Sequence, residues 1–200
     1  EDEITSLRKE VFYSGQKIDV LNTAPKDREG IHLGAFYHNR LVSVISAFIY
    51  HPGEKIPGNY RLPHFSNSVF QLSRRAELKE IRGSRLAEFM ATSIWKSIYE
   101  TLEPDYSFIT LLDAHKTLEK YYGRFGYRYY GEVEEDGVRE SIYIQHPESM
   151  KEHYVKVRTY VEALAAIYGL EIPKLFGFLE DAGRLEEFNL EKIKRENLYL

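Results

Sequence analysis

Residues 69–78 read VFQLSRRAEL, residues 79–85 read KEIRGSR, and residues 106–112 read YSFITLL. The first run alternates, with Phe70, Leu72, Ala76 and Leu78 on one side and Gln71, Ser73, Arg75 and Glu77 on the other. Successive side chains of an extended chain point to opposite faces, so this spacing predicts a strand with one buried and one polar face. The last run is almost continuously apolar, the pattern of a central strand covered on both sides. Between them Leu86, Phe89, Met90, Ile94 and Ile98 recur at helical spacing, predicting a helix from near Ser84 to about Glu100. Strand, turn, helix, strand makes a βαβ unit, expected to cross over right-handed.

The turn of that unit carries chemistry. A helix that opens near Ser84 leaves its first backbone N–H groups without partners, and its dipole adds positive charge there. Arg82, Gly83, Ser84 and Arg85 strengthen such a point. Gly83 admits close backbone approach, Ser84 offers a hydroxyl, and two guanidiniums can pair with phosphate oxygens. The residues therefore predict a phosphate or pyrophosphate site, or else a bare basic helix start. Neither GxGxxG nor GxxxxGK[ST] occurs, which removes the signatures of dinucleotide folds and P-loop NTPases.

Outward from this unit the pattern stays regular. Ile4, Leu7 and Val11 predict an opening helix closed at Ser14-Gly15. Residues 31–37 and 41–50 predict a hairpin around His38-Asn39-Arg40. The Pro- and Gly-rich stretch 51–63 is a loop. Asp113 is placed to cap a helix carrying Leu118, Tyr121, Tyr122 and Phe125, which Gly126 ends. Strands at 126–131 and 140–145 flank the turn Glu135-Asp136-Gly137. From Pro147 the chain turns helical, with Tyr154, Val157, Val161, Leu164 and Tyr168 on one stripe and a stop at Gly169. Shorter helices are expected around 173–182 and 184–196. A division at 146/147 follows, with an α/β body over 1–146 and a helical extension over 147–200.

Composition limits the function. The chain has 200 residues, of which 43% are hydrophobic and 29% charged, so it is globular rather than disordered. Its net charge of −4 argues against a nucleic-acid partner, which calls for clustered cations. No run approaches the roughly 18 apolar residues of a membrane span, so a soluble, cytoplasmic protein with no membrane partner is expected. The absence of cysteine excludes disulfides, thiolate metal sites and a Cys nucleophile. The seven His fall in neither HExxH nor HxxxH spacing, so no metal site is predicted.

Read together, these segments resemble the GNAT superfamily of N-acetyltransferases. The superfamily's acetyl-CoA motif, Q/R-x-x-G-x-G/A, falls on Arg82-Gly83-Ser84-Arg85-Leu86-Ala87, with Arg82 and Ala87 matching and Arg85 standing where Gly is usual. FQLSRRAEL looks like its fourth strand and YSFITLLDA like its fifth. Asp113-Ala114 followed by YYGRFGY is similar to its later Asn-Ala, Tyr, Gly-Phe motif. The likeness covers roughly 4–146 in the same order, although the first strand is not evident. It implies an α/β (α+β) fold: a mixed, mostly antiparallel central sheet with splayed fourth and fifth strands, flanked by helices, plus an α-helical C-terminal tail.

The resemblance implies a mechanism as well. Acetyl-CoA would be the co-substrate, its pantetheine arm bonded to backbone at Ala76, Glu77 and Leu78. Its diphosphate would lie on Arg82, Gly83, Ser84, Arg85, Leu86 and Ala87, with Asp113 also on the cofactor. An amine, of a small molecule or a peptide, would attack the thioester directly. Tyr122 would protonate the departing thiolate, or else serves only as a packing aromatic. Gln71 stands where some members carry a carboxylate, and Glu77 is the nearest acid for a base, with a water chain as the alternative and Glu77 then solvated or salt-bridged to Arg75. Other readings are a long-chain acyltransferase like the acyl-homoserine-lactone synthases, or a non-catalytic CoA-binding module. His32 could line the acceptor pocket, His115 is read as solvated, and the acidic run 132–136 could attract a cationic amine. Trp95 is expected at the margin of its helix or against the tail. The tail itself would cap the body or pair with a second copy.

Overall fold

The computed structural model describes residues 2–13, 30–56, 60–82, 86–135 and 138–168. Gly83, Ser84 and Arg85, the stop at Gly169 and the helices expected beyond it lie outside the described residues, as does any strand over 14–29.

The order of elements is α1 (Asp2–Arg8) with a π turn at Lys9–Tyr13, then β1 (Ile31–Tyr37), β2 (Arg40–Tyr50) and β3 (Val69–Glu77). A 3₁₀ turn at Lys79–Ile81 leads to α2 (Leu86–Leu102) and β4 (Tyr106–Leu112). A second 3₁₀ turn, Asp113–Leu118, runs into α3 (Glu119–Gly123), and β5 (Arg128–Glu135), β6 (Val138–Gln145) and α4 (Pro147–Tyr168) follow. The six strands form one sheet in the order β1-β2-β3-β4-β6-β5. Only β3 and β4 run parallel; every other neighbouring pair is antiparallel. The mixed, mostly antiparallel sheet expected from the sequence is the one observed. None of the described helices is long and apolar enough to cross a membrane.

Local chemistry explains the turns that set this order. His38 and Asn39 both take positive φ (49° and 60°), the pair of left-handed residues that matches a two-residue hairpin to strand twist. Gly126 closes α3 at φ +85°, where a Cβ would stand 2.9 Å from the Ser149 Cβ, so both backbone and space call for glycine. Just before β4 Asp105 accepts the amides of Ser66 (2.6 Å) and Asn67 (2.9 Å). Asn67 Nδ2 donates to the carbonyls of Leu102 and Glu103, tying the 60–68 loop to the end of α2.

The core forms where α2 and α4 pack on one face of the sheet. Phe70, Ile94, Ile98, Val157, Val161 and Leu164 all belong to it. The helix opening at Pro147 therefore shares its apolar stripe with the sheet. Of the two placements expected for Trp95 the structure shows the second: it is 2% exposed and packs between Phe70, Tyr99 and His153 of α4, against the helical extension rather than at the margin. Its indole sits inward because its N–H has a buried acceptor, Gln145 Oε1 at 2.9 Å.

The strand at 69–77 departs from simple alternation. Leu72 lies opposite Ala47 and Glu77 opposite Ser43. Residues 43–47 of β2 thus face residues 72–77 of β3, one more on β3, because Arg74 adds an extra residue in a left-handed conformation (φ 52°). Its guanidinium lies 5.1 Å from the Phe48 ring centroid, a cation–π contact that offsets part of the backbone strain. The bulge reverses the phase of the strand. Glu77 and Arg75 come round to the face of Leu72, and Ala76 and Leu78 to that of Gln71, contrary to the expected grouping.

Candidate functional site

β4 treats its two edges differently. Along one it pairs with β6 continuously from Ser107↔Gln145 to Leu112↔Glu140. Along the other it meets β3 only at Val69↔Tyr106, Phe70↔Ser107 and Gln71↔Phe108. β3 runs on to Glu77 and β4 to Leu112, so the two parallel strands part beyond Gln71. The fork leaves strand backbone facing a gap rather than a neighbour, and such groups seek hydrogen-bonding partners.

On one face the fork is apolar and aromatic. Leu72 of one arm packs with Ile109 and Leu111 of the other, together with Tyr121, Tyr122, Phe125, Tyr127 and Tyr143. Tyr122 is set edge-on to Tyr121 (5.2 Å between centroids) and to Tyr127 (6.1 Å). Its carbonyl accepts the N–H groups of Phe125 (3.0 Å) and Tyr127 (3.3 Å), which fixes the end of α3. Burial pushes the Tyr122 phenol up, and the nearby Arg75 guanidinium pulls it back. Tyr121 is pushed by burial to about 12. Arg75 is thus the cation on this face, brought there by the bulge. Burial opposes its charge, but Glu77 and the two tyrosines outweigh that and keep it raised.

At the open end lies Glu77, 8% exposed. Its carboxylate meets Arg75 Nη2 at 3.4 Å and accepts the backbone N–H of Ala87 in the first turn of α2. Burial raises its pKa; Arg75, Arg82 and the Ala87 amide act against that rise. Arg82 is exposed and its Nε donates to the Glu77 carbonyl at 3.4 Å. Ala76 is buried opposite Val44, and Leu78 donates its N–H to Val42 O at 3.0 Å. Leu86 and Ala87 are buried at the start of α2. Asp113 begins the turn after β4; its side chain lies outside the described residues. The structure therefore gathers Glu77, Arg75, Arg82 and Ala87 at one end of the fork, with Tyr122 linked to them through Arg75.

The opposite face holds residues that sequence reasoning missed. Tyr50 Oη donates to Gln71 Oε1 at 3.3 Å, and Gln71 Nε2 donates across the fork to Thr110 Oγ1 at 3.4 Å. Beside them Tyr60 Oη donates to Glu140 Oε2 at 2.7 Å. Both Tyr50 and Tyr60 rest against Phe108, with ring centroids at 6.1 and 6.0 Å. A signal for Glu140 existed: it alternates with Ile142 and Ile144, an acid on an apolar stripe. Nothing in the loop composition marked Tyr60. His32 stands on this face too, its Nδ1 2.7 Å from Ser46 Oγ, which also accepts from Arg8 Nη2 at 2.6 Å. His115 is half-buried, and Glu132 of the acidic run is bonded to Arg139.

No family model and no curated protein matches the sequence. Solved structures do match in shape. FeeM, an N-acyl amino acid synthase from uncultured soil microbes, superposes with a TM-score of 0.56 at 15% identity, over 76% of this chain and 93% of that one. Arabidopsis thaliana NAA60 in complex with acetyl-CoA gives 0.54 at 8% identity, over 72% and 93%. An acyl-CoA N-acyltransferase from Pseudomonas aeruginosa gives 0.51 at 19% identity, over 72% and 88%. The chain accordingly has the acyl-CoA N-acyltransferase fold of the GNAT proteins, with its parted central strands.

Proposed function

We propose that this chain is an N-acyltransferase that moves an acyl group, most simply acetyl, from a coenzyme A thioester to an amine of a small molecule or peptide. The observation that carries the reading is the fork: three register pairs between β3 and β4, then none, with Tyr122 packed against its apolar face. An amide-rich pantetheine arm suits an edge opened in this way. The neutral amine attacks the thioester carbonyl carbon and the C–S bond breaks. Tyr122 gives its hydroxyl proton to the departing sulfur and recovers one from solvent. Arg75 assists by stabilising the phenolate that this transfer leaves. Arg82 and the first turn of α2 would receive the diphosphate, displacing the Glu77 carboxylate from the Ala87 amide. NAA60, of the same fold, is seen with acetyl-CoA, which supports a CoA donor here.

One observation favours a second reading. Glu77 already fills the Ala87 amide, as it would in a fold that has given up its coenzyme. Calorimetry separates the two. Acetyl-CoA should bind the wild type and bind Arg82→Ala at least tenfold more weakly, and thiol release with acetyl-CoA and longer acyl-CoA donors should report the acyl length. A silent titration with every donor supports the non-catalytic reading.

A further inference from the structure

We infer that Glu140, on β6 beside the fork and held by Tyr60, binds the acceptor as a protonated primary amine and takes its proton. The inference rests on the acyltransferase reading and adds to it the group that activates the nucleophile.

The register places this group. Thr110 lies opposite Ile142 and Leu112 opposite Glu140, so these four residues share a face. Ile109 and Leu111, which pack with Tyr122, alternate onto the other. Proton acceptor and proton donor therefore stand on opposite faces of the sheet. Gln71 spans the gap to Thr110 at the last paired position, marking where the strands diverge. Glu77, six residues further along β3 from Gln71, is committed to Arg75 and the start of α2.

The state of Glu140 fits a ligand cation. It is half-buried, and among the described residues no Lys or Arg pairs with it. Its one hydrogen bond there comes from Tyr60, which fills a single acceptor site and leaves the carboxylate charge unmatched. Burial and the charge of Glu140 drive the Tyr60 phenol far up, so Tyr60 remains a donor and does not compete for the proton. Tyr60, Tyr50 and Phe108 form an aromatic wall beside the carboxylate, a setting that also attracts ammonium groups.

The protons balance. The ammonium gives one proton to Glu140, which passes it to water, and the free amine forms the C–N bond. As the C–S bond breaks, the nitrogen loses its second proton to water while the sulfur takes one from Tyr122, restored from solvent. One proton is released per amide formed.

The test uses the whole chain, acetyl-CoA and octanoyl-CoA, and a panel of amino acids, their methyl esters and linear diamines, read by thiol release. Glu140→Gln keeps an oxygen for Tyr60 but loses the charge. For the best amine, its KM should rise at least tenfold and kcat/KM fall about 100-fold, with acyl-CoA affinity by calorimetry unchanged. Glu140→Asp should retain most of what Gln loses. Unchanged kinetics in Glu140→Gln overturn this inference alone. Equal impairment of Gln and Asp variants assigns Glu140 a structural role and overturns it too. A wild type that releases no thiol with any pair overturns the acyltransferase reading, and this inference with it.

Discussion

β4 carries one polar cluster on each face, and the two are built differently. On the zipped side Ser107 Oγ donates to Gln145 Oε1 at 2.9 Å and meets the Tyr127 hydroxyl at 2.9 Å. Trp95 Nε1 donates to the same Gln145 oxygen, and Gln145 Nε2 donates to the Phe125 carbonyl. Ser107 and Gln145 have no exposure at all. Around the fork the bonds of Gln71 to Tyr50 and Thr110 stretch to 3.3 and 3.4 Å, and Glu140 keeps its charge unpaired among the described residues. The saturated cluster locks strand, helix and turn together. The unsaturated one keeps hydrogen-bonding capacity for a ligand.

The sharpest way to break this contrast is Gln145→Leu. It leaves the Trp95 N–H, the Ser107 hydroxyl and the Phe125 carbonyl buried without their partner, and should cost about 4 kcal/mol in urea unfolding. A loss below about 1 kcal/mol would mean that the zipped side is no more structural than the open one. Next comes His153, wedged against Trp95 and Phe125 at 4.9 and 5.2 Å. Burial, with Lys156 nearby, lowers its pKa from 6.5 to about 4. The folded state thus holds it neutral where the unfolded chain would be protonated. Its contribution is intact above pH 6.5 and is lost as pH falls toward 4, by about 3 kcal/mol. Unfolding of His153→Phe between pH 7.5 and pH 4 should show a slope shallower by that amount. On the apolar face of the fork, which Ser107 shares, Tyr122→Phe should move stability little, within about 1 kcal/mol by thermal melting. It should slow thiol release about 30-fold, about 2 kcal/mol of transition-state stabilisation. Unchanged turnover would return Tyr122 to the packing role that its aromatic neighbours already give it.

Much of this frame was legible in the chain. Apolar spacing marked α2 and α4, the continuous run YSFITLL marked the central strand, and Gly126 marked the end of α3. The departures have local causes. VFQLSRRAEL reads as unbroken alternation because a bulge costs one residue and has no composition signal; Arg74, unlike Gly, does not announce a left-handed backbone. Trp95 was open between the helix margin and the tail because the helical wheel knows nothing of Gln145, fifty positions later. Glu77 read as a candidate base or a partner of Arg75 on the polar side of its strand; the structure shows the Arg75 pair, and the bulge decides which face carries it. Tyr60 and Glu140 stand eighty residues apart, and only the placement of loop 60–68 against β6 makes them neighbours.

Periodicity and turn chemistry, which act over a few residues, were enough to set out most elements and their order, and the parting of one strand pair was implied only by the resemblance to the GNAT superfamily. The three-dimensional packing decided which acid faces which side of the sheet, which polar cluster is closed, and which carboxylate stands without a cation among the described residues. Those outcomes depend on register, on a one-residue bulge and on contacts between distant segments, none of which a local pattern encodes.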